Sequence, residues 1–210
     1  FEKAIAKSTA YDSAIEPLAI SGWDEEKIFF QLAVEDIRNT ADLFLPIFEA
    51  TNGLDGFVSL EVSPNLAYDT KGTIRQVKEL WKRVNRKNLM IKIPATKPGL
   101  AAIEESIAQG INVNITLIFS VKRYQEVIDA YFAGLEKRVQ SDLPISEISS
   151  VASFFVSRVD TKVDNYLKTL LDNNKISRKD FEKLRGKAGI ANSKMAYSLF
   201  EDSIQSDRFM

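Results

Sequence analysis

The sequence predicts an α/β chain of parallel β-α-β units, arranged in the manner of a barrel rather than an open, doubly wound sheet. Three observations carry this. Short apolar runs alternate with helical stretches along residues 56–158, the rhythm of parallel crossover connections. Each run puts apolar side chains on one face and polar groups on the other. No glycine-rich phosphate fingerprint follows any strand, which weakens a dinucleotide-binding reading.

The first 52 residues are helical in pattern. "STAYDSAIEPLAISG" (8–22) reads as a short helix punctuated by Pro17 and Gly22, and "WDEEKIFFQLAVEDIRNTADLFLPIFEA" (23–50) as a long one stopped by Asn52-Gly53. Then the rhythm changes. "GFVSLEVSP" (56–64) is a strand, "DTKGTIRQVKELWKRVN" (69–85) a helix, and "NLMIKIPAT" (88–96) a second strand. A helix over 99–110 ends at Gly110, "INVNITLIF" (111–119) is the third strand, and 120–140 is a longer helix. "ISSVASFFVSR" (148–158) is the fourth strand, and the remainder reads as helical. No linker, low-complexity tract or strong repeat interrupts the chain, so residues 1–210 read as one domain.

Side-chain parity separates the two parallel architectures. Val58, Leu60 and Val62 share a face on the first strand, against Phe57, Ser59 and Glu61. On the second, Leu89, Ile91 and Ile93 oppose Met90, Lys92 and Pro94; on the third, Ile111, Val113, Ile115 and Leu117 oppose Asn112, Asn114 and Thr116. On the fourth, Ala152, Phe154 and Val156 oppose Ser153 and Phe155. A doubly wound sheet is covered by helices on both faces and reads apolar on both. Four strands that each keep a polar row fit a barrel whose interior meets a site at the C-terminal strand ends. An antiparallel sheet with one wet face explains the alternation but not the intervening helices.

Composition narrows the chemistry. The chain has 28 Lys and Arg against 29 Asp and Glu, so no dominant charge points to nucleic acid or an anionic membrane. No apolar run reaches membrane-spanning length, and the opening residues carry no secretory pattern. A cytoplasmic setting is the expectation. Cysteine and histidine are both absent, which removes disulfides, thiolate nucleophiles, Ser-His pairs and most transition-metal sites. Proton transfer must rest on carboxylates, lysine, tyrosine or water.

Lys92 stands out, an amine inside an apolar strand. If the polar rows converge, Lys92, Glu61, Asn114, Thr116 and Ser153 surround one cavity. A desolvated lysine moved from a pKa of ~10.4 to ~7 pays roughly 4–5 kcal/mol to stay charged, a shift buried lysines do reach. As a neutral amine it attacks a carbonyl to form a Schiff base, whose iminium is an electron sink for carbon–carbon bond chemistry. Such a route calls for no metal or organic cofactor. Glu61 and Thr116 would hold water or relay protons. Asn114 and Ser153 would bind sugar hydroxyls, and Arg158, of opposite parity to Ser153, would clamp a phosphate from the loop after the strand. Blander roles stay open for each: a snorkelling Lys92 paired to Glu61, Asn114 and Thr116 satisfying backbone groups, and Arg158 as a surface cation.

Taken together, "VSLEVSP", "LMIKIPAT", "GINVNITLIFS" and "SVASFFVSRVDTKVD" closely resemble transaldolase, in its longer bacterial-type subfamily, and occur in the family's order. The opening "FEKAIAKSTAYD" is similar to the family segment that follows its second-strand Asn-Pro. The resemblance implies a (β/α)8 barrel of the class I aldolase group. It implies transfer of a dihydroxyacetone unit from a ketose phosphate such as sedoheptulose 7-phosphate to glyceraldehyde 3-phosphate, in the pentose phosphate pathway. By position, Lys92 matches the Schiff-base lysine, and Glu61 and Thr116 the residues that hold the catalytic water. Asn114 and Ser153 match substrate-hydroxyl contacts, Phe155 an aromatic wall, and Arg158 a phosphate-binding arginine.

Departures from the family pattern set further expectations. The family's acid/base aspartate on the first barrel strand, the Asn on the second and the last two strands have no counterpart here. The sequence thus looks like an internal piece holding four of eight strands. Two open strand edges invite pairing with a second copy or with the missing strands, and the piece alone should show little activity. A fructose-6-phosphate-cleaving aldolase and a non-catalytic sugar-phosphate-binding or assembly module are the alternatives.

Overall fold

In the computed structural model, which describes residues 2–210, four strands alternate with helices as the sequence predicts. Three N-terminal helices, α1 (Glu2–Lys7), α2 (Asp12–Ile20) and α3 (Glu25–Ala50), precede β1 (Val58–Glu61). Then come α4 (Thr70–Val84), β2 (Leu89–Pro94), α5 (Lys97–Ala108), β3 (Val113–Ile118), α6 (Val121–Gln140) and β4 (Ser150–Phe154). The chain finishes with α7 (Ser157–Asp172), α8 (Arg178–Leu184) and α9 (Ala188–Ile204).

Local signals explain where the helices start and stop. Asp24 opens α3 by accepting from Lys27 N at 2.8 Å, and Asp69 does the same for α4 from Gly72 N at 2.9 Å. Thr96 caps α5 and Ser120 caps α6. Each side-chain oxygen satisfies an N–H that the first helical turn would leave unpaired. Asn52 and Gly53 turn left-handed just past α3, and Asn85 does so at the end of α4, conformations these residues adopt at low cost.

The four strands form one parallel sheet in the order β1-β2-β3-β4. This excludes the antiparallel alternative. Helices cover a single face. Leu60, Leu89, Ile91, Ile93, Val113, Ile115 and Ile118 join Val77 and Leu80 of α4 and Ile103 and Ile107 of α5 in one apolar core. The α5–α6 crossing is close because Gly134 has no Cβ; one added there would stand 2.8 Å from Glu104 O and Ile107 Cβ. The other sheet face carries the polar rows, the one-sided arrangement of a barrel wall and not of a doubly wound sheet.

Curvature is visible in one hydrogen bond. Asn114 Nδ2 on β3 donates to Ser59 Oγ on β1 at 3.1 Å, although β2 lies between them. In a flat sheet those two strands stand about 9–10 Å apart. The polar face is therefore concave, an arc of barrel wall.

Parity holds through β1 and β2 and breaks on β3. Ile115 pairs with Ala152, but the next aligned pair is Ile118 with Phe154, so β3 spends one more residue than β4. Leu117 absorbs it at φ 61°, a bulge that reverses the faces beyond it. Ile118 takes the buried position that alternation reserves for Leu117. The fourth strand is also shorter than predicted: it ends at Phe154, and Val156 and Arg158 lie outside it.

Candidate active site

Parallel pairing aligns the polar side chains across the sheet. Glu61 is the register partner of Lys92, Lys92 of Asn114, and Asn114 of Val151. One pleat further toward the C-terminal strand ends, Thr116 partners Pro94. Glu61 closes β1 and Ser153 is the penultimate residue of β4. The row thus lies at the end of a parallel sheet where barrel chemistry is placed.

Lys92 Nζ stands 3.5 Å from Glu61 Oε2. The lysine side chain is 31% exposed and the glutamate 48%, so Lys92 is not the buried amine that its apolar neighbours suggest. The reason is geometric. Helices shield the opposite face, whereas on the polar face Met90 and Thr116 are buried and Lys92 and Glu61 stay partly open. An ion pair this wet contributes at most about 1 kcal/mol to stability, too little to account for a lysine in an apolar strand.

Asn114 is the hub of the row. It donates to Ser59 as above, and its Oδ1 accepts from Ser153 Oγ at 2.7 Å. Its amide orientation is thereby fixed, with one N–H and one oxygen lone pair left for a ligand. Ser59 is a site residue that the sequence does not single out. Its signal was available, since it shares the face of Glu61, but a serine at the strand start carries no chemistry of its own. Thr116 is 2% exposed.

Phe155 and Arg158 form a second group beyond the strand ends. Phe155 N donates to Ile118 O at 2.9 Å. Its ring stacks on Phe119 at 4.8 Å between centroids, with planes 15° apart, and the Arg158 guanidinium carbon sits 4.7 Å from the same centroid. Arg158 is in the first turn of α7, not in a loop. Helix α7 begins directly after β4, so the cation is carried on a rigid element. Among the described residues, no carboxylate pairs with it.

Two hollows lie beside the row rather than around it. One of ≈ 430 Å3 is apolar and sits on the helix side of β3 and β4, among Tyr124, Tyr131, Phe132 and Phe200; burial there pushes both phenols above the usual tyrosine range. Another, ≈ 620 Å3, reaches the polar row only at Glu61 and is lined by Glu25, Glu26 and Phe30. The described residues contain no cluster of carboxylates suited to a metal ion, and no helix long and apolar enough to cross a membrane.

Comparison with known proteins bears on the chain as a whole. A profile of the transaldolase/fructose-6-phosphate aldolase family matches residues 1–207. A transaldolase of Mycolicibacterium smegmatis is 50% identical over 209 residues, covering 100% of this chain and 55% of its own length. Transaldolases of Thermobifida fusca, 48% identical over 209 residues, and Mycobacterium bovis, 47% over 210, match with the same coverage. The chain spans about half the length of the curated relatives it matches.

Proposed function

The chain belongs to the transaldolase/fructose-6-phosphate aldolase family, and from that premise we propose that the full-length polypeptide transfers a dihydroxyacetone unit between sugar phosphates through a Schiff base on Lys92. The observation that carries this reading is the Lys92–Glu61 pair at 3.5 Å, set beside the anchored Asn114 amide at the C-terminal ends of parallel strands. Pairing alone does not require a lysine there, and an amine that exchanges protons with a neighbouring carboxylate does.

In the proposed sequence, the neutral Lys92 amine adds to the ketose carbonyl. The carbinolamine loses water with a proton relayed by Glu61, assisted by Thr116. The resulting iminium takes up the electron pair of the adjacent carbon–carbon bond as it breaks, and an aldehyde leaves. The enamine then attacks an acceptor aldehyde, and water releases the product and restores the amine. Asn114 and Ser153 hold donor hydroxyls, Phe155 walls the site and Arg158 binds the phosphate. The proton of the hydroxyl beside the breaking bond goes to a base outside this polar row; the family resemblance gives that role to an aspartate on another strand. The donor and acceptor of this proposal are those the resemblance implies, sedoheptulose 7-phosphate and glyceraldehyde 3-phosphate, and a setting in the pentose phosphate pathway and the cytoplasm belongs to the same proposal.

Borohydride reduction with a ketose phosphate, followed by mass mapping, tests the reading. The expected adduct is on Lys92. No adduct, or one on Lys97, overturns it. Release of free dihydroxyacetone without an acceptor would instead favour the fructose-6-phosphate aldolase branch of the same family.

The end strands β1 and β4 leave backbone groups available for pairing, and Val151 on the concave face of β4 is 44% exposed. We propose that further strands of the full-length polypeptide, or a second copy of this chain, pair there and roof Lys92. Sedimentation of the 210-residue chain alone should show self-association; a monomer with one cooperative melt counts against it.

A further inference from the structure

We infer that Phe119 is a positioning residue for phosphate recognition, acting through Phe155 on Arg158; this rests on the reading of Arg158 as the phosphate ligand. The chain goes to some length to bring Phe119 there. Regular alternation along β3 puts residue 119 on the same face as Val113 and Ile115, packed into the helix-side core. The extra residue at Leu117, held at φ 61°, reverses that assignment. Ile118 becomes the buried core residue, and Phe119 is left 42% exposed just beyond the strand end.

The bulge leaves the Phe119 ring beside Phe155, and the two stack face to face. Phe155 in turn carries the Arg158 guanidinium over its ring. An arginine on the surface normally samples many rotamers, and ordering it on binding an anion costs conformational entropy. The stacked ring restricts it beforehand. Phe119 restricts the ring. Its own carbonyl accepts from Asn192 Nδ2 of α9 at 3.0 Å, so the backbone beneath the stack is tied to the helix that packs across α6 and α7.

The test uses the full-length polypeptide and compares a ketose phosphate with the same ketose lacking its phosphate. The expected result for Phe119→Ala is a fall of about five- to tenfold in the ratio of kcat/KM between the two, the range a lost cation–π support would give. Inhibition by inorganic phosphate should weaken by a similar factor, and Phe119→Tyr should retain both. An equal loss on both substrates would mark Phe119 as merely structural and overturn the inference, as would a Tyr variant as impaired as the Ala variant. Arg158→Gln is measured in parallel. If it leaves the ratio untouched, the phosphate reading itself fails. If it lowers the ratio and Phe119→Ala does not, only the role of Phe119 fails.

Discussion

Lys92→Met in the full-length polypeptide is expected to abolish sugar transfer, lowering kcat by about four orders of magnitude or more, the scale on which covalent nucleophiles fail when removed. Methionine keeps the length and apolar character of the lysine stem, so β2 should remain in register with β1 and β3. Lys92→Arg is the sharper variant. Arginine preserves the positive charge opposite Glu61 but cannot become a neutral amine at any working pH. If Lys92 only pairs with Glu61, arginine rescues the protein, and methionine costs no more than the ~1 kcal/mol of a solvent-exposed ion pair. If Lys92 is the nucleophile, both variants are equally inactive and neither traps a borohydride adduct. Turnover within tenfold of the parent in either variant would end the Schiff-base reading.

The route to Lys92 shows which kinds of information lie in a strand sequence. Parity is local and strict, and it assigned Glu61, Lys92 and Asn114 to one face; the register then put them side by side. Burial is not local. The leucine and isoleucines around Lys92 describe the helix-covered face, and they say nothing about what roofs the other one. That is why the lysine reads as buried from sequence and is a third exposed in the fold. Leu117 fails for a related reason. No glycine, asparagine or proline marks the bulge, and its position is set by how β3 must meet β4. Arg158 reads as a loop residue because its parity is opposite to that of Ser153, whereas the helix starts at Ser157. Ser59 was legible only as a position on a face; its partnership with Asn114 depends on sheet curvature, which no strand encodes alone.

Asn88 carries the second large effect, and it is equally quiet in the sequence, where it reads only as the first residue of the second strand. In the fold it is fully buried. Its Nδ2 donates to Ala41 O of α3 at 2.8 Å and to Gly56 O before β1 at 2.9 Å, while its backbone carbonyl accepts from Val58 N at 2.9 Å. One side chain therefore ties the long N-terminal helix to the start of the sheet. Asn88→Asp preserves the shape and replaces two donated hydrogen bonds with a carboxylate facing two carbonyl oxygens. Leaving two buried acceptors unsatisfied costs about 1–3 kcal/mol each, with more for the charge, so a loss near 4 kcal/mol is expected at pH 8.

The loss should depend on pH with a definite sign. Burial and the facing carbonyls raise the folded pKa of the introduced carboxyl above its unfolded ~3.9. The native state then binds the proton more tightly, and stability recovers as pH falls through the folded value. Protonation also restores one donor to one carbonyl. Denaturant midpoints of the full-length variant should therefore lie closer to the parent at pH 5 than at pH 8, whereas Asn88→Ala, with nothing to titrate, should show the same deficit at both. An equal deficit for Asn88→Asp at the two pH values, or one below about 1 kcal/mol, would mean that α3 is held to the sheet by its apolar face, through Phe30, Val34 and Ala41, and not by this amide.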